Sequence, residues 1–304
     1  MVGASRARVP GELHSRTWVV FLVVLGAVLV TCGVLFWDWP SSGRTSRAFV
    51  ETPWFLIWAV LLCAQSALWA VLAPMVWTSI QSLRARYRYG WGTVRRIAVS
   101  SVAVAVLVAA FVYFAYRAVP GYPFDHHKWK ILALTAVGFF VALSALIGLW
   151  LVEAAVATPE FGGTLAEYLE LRGRLQGFLA AAAAIVGAAM LATGGLRTAI
   201  TSNVQGAAFP SQYSLYYGAY LSVVLLIAYT PAHLALRRVG QGLLDSYAPV
   251  PKSAPASWSG WLSERGAVES LLQLDAAFGK SLQTGLAIAT PFIGSAIGVL
   301  LGTH

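Results

Sequence analysis

The chain has 304 residues, 58% of them hydrophobic and only 11% charged, with a formal net charge of +9. An ordinary soluble domain carries about 25% charge, so composition excludes a water-soluble fold of this length, and the chain is long enough for about seven spans of roughly 20 residues. The Lys and Arg excess sits at the ends of apolar runs, where basic residues set topology and meet anionic lipid, and no soluble basic module with interleaved aromatics is present. The expected partner is therefore the lipid bilayer and not nucleic acid.

The N-terminus is short and basic (Arg6, Arg8, Arg16) and leads into an apolar run over 18–36. A cleaved signal peptide has an apolar region of about 7–15 residues. This one is longer, and Thr31 ahead of Cys32 does not suit a lipoprotein cleavage site, so the run is read as a retained first span. It ends in Trp37-Asp38-Trp39-Pro40, an aromatic interface anchor followed by a stop. The second run, 54–80, carries Trp58, Trp69 and Trp77, and Pro74 near its inner end is expected to kink the last turn. The third and fourth runs cover 97–116 and 129–156, with Pro120-Gly121-Tyr122-Pro123 as a turn between them.

The fifth run organises the rest. Phe161-Gly162-Gly163 breaks whatever precedes it, and Thr164 stands three residues ahead of Glu167. That is the capping-box spacing, in which each side chain satisfies the other end's free backbone N–H. From Leu165 nothing stops the helix before Gly194-Gly195, which gives roughly 45 Å of rod. Only 175–193 is apolar, about one bilayer core, so the first ten residues should stand out of the membrane. The sixth run is 213–236, interrupted by Pro231, and the seventh is 282–301.

With the N-terminus in the cytoplasm, Lys and Arg number three before the first run, five after the second, two after the fourth and five after the sixth, 15 in all, against 6 on the other side. The positive-inside rule then gives a cytoplasmic N-terminus and an external C-terminus. The one long loop, 237–280, begins Pro-rich and continues over 257–278 as an amphipathic pattern with Trp258, Trp261, Leu262, Val268, Leu271, Leu272 and Phe278. That stripe suits a helix on the cytoplasmic interface or on the inner ends of the spans. The organisation is a basic segment (1–17), a six-helix transmembrane region (18–248), a proline-rich loop with an amphipathic helix (249–280) and a seventh span (281–304).

Glu153, flanked by apolar residues at the end of the fourth run, and His233, two residues after Pro231, are the candidate intramembrane polar site. An acid within a span is costly and marks a site unless it reaches headgroup water, and a histidine titrates near physiological pH unless it is a satisfied packing group. Cys32 and Cys63 lie in apolar runs and read as small hydrophobes. Asp125-His126-His127 shares three residues with the Asp-His-His-Cys core of protein palmitoyltransferases, but Lys128 stands where that cysteine belongs and the zinc-binding cysteines are missing. Lys280 lies at an interface with no acid in the third run, unlike the retinal lysine of seven-span rhodopsins. Both matches fail. No nucleotide loop, metalloprotease helix or nucleophile elbow is present, so no enzyme, metal or cofactor is expected.

Packing leaves the clearest pattern. Gly294, Gly298 and Gly302 recur every four residues, as do Gly173, Gly177 and Ala181, and Ala180, Ala184, Ala188 and Ala192 form a second small stripe. Small residues at this spacing let helix backbones approach closely, either within the chain or across an oligomer seam. The expected fold is all-α, a polytopic membrane bundle of seven transmembrane helices plus one amphipathic interfacial helix. The expected function is that of a membrane scaffold, a partner subunit or an oligomeric pore, with a homo-oligomer or a membrane protein as partner. The alternative is a small-solute or proton-coupled transporter or channel using Glu153 and His233. Ala-, Arg- and Gly-rich usage with few lysines suits a bacterial plasma membrane.

Overall fold

A computed structural model describes residues 10–37, 50–118, 125–202, 211–250, 258–272, 274 and 278–301; side chains of 10–17, 114–118, 125–129, 211, 278–284 and 298–301 fall outside that description. All regular structure among the described residues is helical: α1 (Pro10–Phe36), α2 (Pro53–Arg86), α3 (Trp91–Ala118), α4 (Asp125–Ala155), α5 (Leu165–Thr201), α6 (Ser211–Tyr247), α7 (Trp258–Leu271) and α8 (Phe278–Leu301). Six of them, α1 to α6, are long and apolar enough to cross a membrane, and α8 holds a shorter described apolar stretch, Gly285–Ile297.

Local chemistry explains where the helices start. Thr52 caps α2 by accepting the Phe55 N–H on Oγ1 at 3.3 Å, with Pro53 in the first turn where its missing N–H is harmless. Thr164 does the same for α5 through the Glu167 N–H at 3.3 Å. The return half of the expected capping box is different: the Glu167 carboxylate accepts the Gly162 N–H at 2.9 Å, because Gly163 at φ +64° turns the chain back over the helix end.

α5 is the central element, packed by α2, α4, α6 and α8. It does not stop at the glycine pair. The helix runs through Gly194-Gly195 to Thr201, 37 residues or about 55 Å. A Cβ on Gly195 would lie 2.9 Å from a Leu61 methyl and 3.5 Å from Trp58 Cα, so the glycine is a close-approach point for α2. Helices also outrun the apolar runs elsewhere: α6 continues to Tyr247 instead of ending near 236, α3 begins at Trp91 and α4 at Asp125.

Contacts sort into two ends. At one, Arg86 at the end of α2 meets Glu167 (2.7 Å) and Glu170 (2.5 Å) at the start of α5, and Arg96 of α3 meets Glu153 of α4 at 3.2 Å. At the same end the Tyr168 hydroxyl donates to the Leu272 carbonyl at 3.0 Å, and the Tyr89 hydroxyl donates to the Leu151 carbonyl at 3.2 Å. Burial pushes the Tyr89 hydroxyl well above the ordinary phenol range, which keeps it a donor. At the other end, Lys130 of α4 donates to the Leu35 carbonyl of α1, and Phe55 and Trp58 pack with Leu35, Ala199 and Ile200. Neighbouring helices therefore alternate in direction. α8 runs beside α5 in the same sense, since Tyr168 meets Leu272 at one level and Gly187 meets Thr290 further along.

α7 is anchored on the end of α6. Arg265 binds the Asp245 carboxylate at 2.9 Å and the Ala248 carbonyl at 2.7 Å, and Trp261 Nε1 donates to the Pro249 carbonyl at 3.1 Å. Trp258, Leu262 and Leu271 remain exposed.

Candidate functional site: an apolar cavity between five helices

The middle of the bundle is unevenly filled. α3 makes little contact with its neighbours, and only 6% of its apolar window is buried, against 56% for α5. It is held near its two ends. Phe111 stacks against the Tyr217 and Tyr220 rings of α6 with centroids 4.9 Å away in both cases, and Arg96 pairs with Glu153. Between those points Ile97 and Val104 meet the core, and beside the stretch from Val104 to Val112 a cavity of about 280 Å³ opens among α2, α3, α4, α5 and α6.

Small side chains make the space. Ala142 of α4 and Ala182, Ala189 and Ala192 of α5 line it; of the stripe Ala180, Ala184, Ala188 and Ala192 expected to bring helices together, only Ala192 faces this space. Trp69 of α2 and Phe178 of α5 fill the positions opposite Gly138 and Gly148 of α4.

The lining is graded. At the Lys130 end of the bundle it includes Thr135, Thr193, Tyr213, Ser214 and Tyr217, with the buried Gln65 of α2 as a further polar group; toward the middle it ends in Val104, Leu146, Ala182 and Leu225. No Asp, Glu, Lys, Arg or His is among the lining residues. Ser214 is 3% exposed, and its hydroxyl has no hydrogen-bond partner among the described residues.

The residues singled out from the sequence lie elsewhere. Glu153, 21% exposed, takes Arg96 as partner, and His233 takes the Tyr229 hydroxyl at Nδ1, 3.0 Å away, with the two rings stacked at 5.2 Å. No hydrogen bond or ion pair joins Glu153 to His233, and neither lines the cavity. Among the glycines, Gly294 backs onto α5, where an added Cβ would sit 3.1 Å from the Gly187 carbonyl and 3.3 Å from Met190. Gly173 and Gly177 have open space around them, while Ala181 is buried. Gly302, the surroundings of Gly298, the Asp125-His126-His127 side chains and that of Lys280 lie outside what the structure describes. Cys32 and Cys63 come together, Sγ to Sγ 3.4 Å, as free thiols. Among the described residues, no group of three or more potential metal ligands converges.

Sequence reading missed the cavity residues. The available signal was the start of the sixth run, where Tyr213, Tyr217 and Tyr220 share one helical face with Ser214 beside them. Set against known proteins, the chain matches no family model, no curated protein and no solved structure.

Proposed function

We propose that this chain is a non-enzymatic multi-pass protein of a bacterial plasma membrane, a scaffold or partner subunit that holds an apolar membrane constituent in the cavity beside α3. The observation that carries the reading is the cavity: about 280 Å³, uncharged, and walled on one side by a helix fixed mainly near its ends. An apolar cavity of about 150 Å³ is already large enough to take up benzene, so this one has room for a larger guest. In this reading α8 is the seventh span, and α7 lies on the cytoplasmic interface with Trp258, Leu262 and Leu271 toward lipid. The Arg-rich end that carries Arg86, Arg96, Arg172 and Arg174 is cytoplasmic, with the C-terminus outside. The exposed apolar faces of α1 and α3 are the surfaces on which a second copy or another membrane protein would pack. The pairs Arg96–Glu153 and Tyr229–His233 give both intramembrane polar residues a local structural task, which weighs against a transporter built on them.

The test is native mass spectrometry of the purified full chain. Wild type should leave the detergent micelle with one bound apolar adduct. A variant with Ala142→Phe and Ala189→Phe, which fills the cavity, should leave without it while keeping the same size-exclusion profile. Equal adducts on both proteins, or none on either, would refute the reading.

A further inference from the structure

Building on the cavity reading above, we infer that the guest is the straight hydrocarbon chain of a bilayer amphiphile, taken from the leaflet at the Lys130 end, with its neutral ester or hydroxyl end at Ser214. Three features of the cavity lead there.

The first is shape. The lining runs from Ile131 to Leu146 along α4 and from Ala182 to Leu196 along α5, about 20 Å at the helical rise. The space is therefore elongated along the helix axes, which suits an extended hydrocarbon chain lying parallel to them. The length compares with one leaflet, about half of a hydrocarbon core of roughly 30 Å.

The second is polarity. The hydroxyl-bearing residues lie at one end and the other end is wholly apolar, which is the gradient of an amphiphile entering tail first. Ser214 is the buried hydroxyl at the polar end, 3% exposed and without a partner among the described residues. A serine hydroxyl can donate to an ester carbonyl or exchange a hydrogen bond with an alcohol. With no charged lining residue, any phosphate or other ionic headgroup stays outside, at the membrane surface.

The third is access. α3 exposes Val99, Val102 and Val106 on its outer side. On its inner side Val104, Val108 and Val112 line the space, so this sparsely packed helix is the wall that separates it from the bilayer.

The experiment uses the full chain in nanodiscs of a diacyl phosphatidylcholine doped with the same lipid bearing a diazirine on one acyl chain. After photolysis, peptide mapping should find label concentrated on 131–146 and 182–196 in wild type. Ala142→Phe and Ala189→Phe should remove that label. Val99→Phe, on the lipid side of α3, should leave it unchanged, and an unaltered Tm of the double variant shows that filling the cavity does not unfold the bundle. Ser214→Ala should weaken cavity labelling about fivefold, the equivalent of one hydrogen bond. A long-chain monoacyl lipid should compete, and a polyisoprenol of similar length should not. Label spread evenly over lipid-facing positions in every variant overturns the inference. If the polyisoprenol displaces a native adduct and the monoacyl lipid does not, the chain identity is wrong while the cavity reading stands. If neither binds and no native adduct is found, both fall.

Discussion

Gly218 shows how much of this bundle depends on single missing methyl groups. It sits on α6 facing α8, where a Cβ would lie 2.6 Å from the Pro291 carbonyl oxygen and would collide with Ser295 Oγ. The opposing atoms are a backbone carbonyl and a side chain fixed to it, since Ser295 Oγ donates to that same carbonyl at 2.9 Å and the residue is 1% exposed. Neither can yield without moving α8. Gly218→Val should therefore destabilise the fold by about 1–3 kcal/mol, the usual range for overpacking a filled contact. Thermal unfolding in detergent should show a lowered Tm, and an unchanged Tm would mean that α6 and α8 do not approach as described. From the sequence, Gly218 was indistinguishable from glycines with open surroundings such as Gly26 and Gly242. The four-residue repeat picked out Gly294, but its true opposite, Gly187, belongs to no such repeat, because the fit depends on the depth at which α5 and α8 meet.

At the scale of elements, the long apolar runs were plain in the sequence, since a stretch of about 20 apolar residues has few alternatives to crossing a bilayer as a helix. Their ends were not. α6 continues about three turns past its apolar run through Arg237 and Arg238, because arginine is a good helix former and nothing in hydropathy marks where a helix leaves lipid. Gly194-Gly195 reads as a stop where water competes for the freed backbone groups. Inside an apolar bundle no such competitor exists, and the pair becomes a seat for α2. The amphipathic stripe of 257–278 was legible, but it divides between two tasks: Leu272 is fully buried on the bundle and Leu262 and Leu271 face outward. α1 is the loosest of the flanking helices after α3, with 11% of its window buried, and it is joined to α2 by Thr31 donating to Ser66 at 2.7 Å and by the Cys32–Cys63 contact. Mild oxidation of the two thiols by a membrane-permeant disulfide or by copper-phenanthroline should form an intramolecular disulfide. A factor-type protease site engineered into the loop between α1 and α2 would then release the two pieces only after reduction on a gel. Pieces that separate without reductant would show that the helices do not meet at that level.

For the whole molecule, the composition announced a membrane protein and the charge distribution announced its ends, and the described contacts keep those ends apart: Arg86, Arg96, Arg172 and Arg174 at one, Lys130 at the other. The cavity had no counterpart in sequence, because it is a space left among five helices whose faces each look ordinary alone. It borders α3, the most sparsely buried of the six long apolar helices, in a bundle packed most densely around α5. That contrast is best measured by spin-label accessibility in liposomes. Single labels would be placed on a cysteine-free chain at Val99, Val102 and Val106 of α3 and at Ala182, Ile185, Met190 and Ala199 of α5. The α3 positions, each more than 60% exposed, should be relaxed strongly by oxygen dissolved in the bilayer and weakly by a water-soluble nickel chelate. The α5 positions, none more than 2% exposed, should be shielded from the chelate, and Met190 and Ala199, which do not line the cavity, from oxygen as well. Equal oxygen accessibility on the two helices, or chelate reaching either set, would contradict the account.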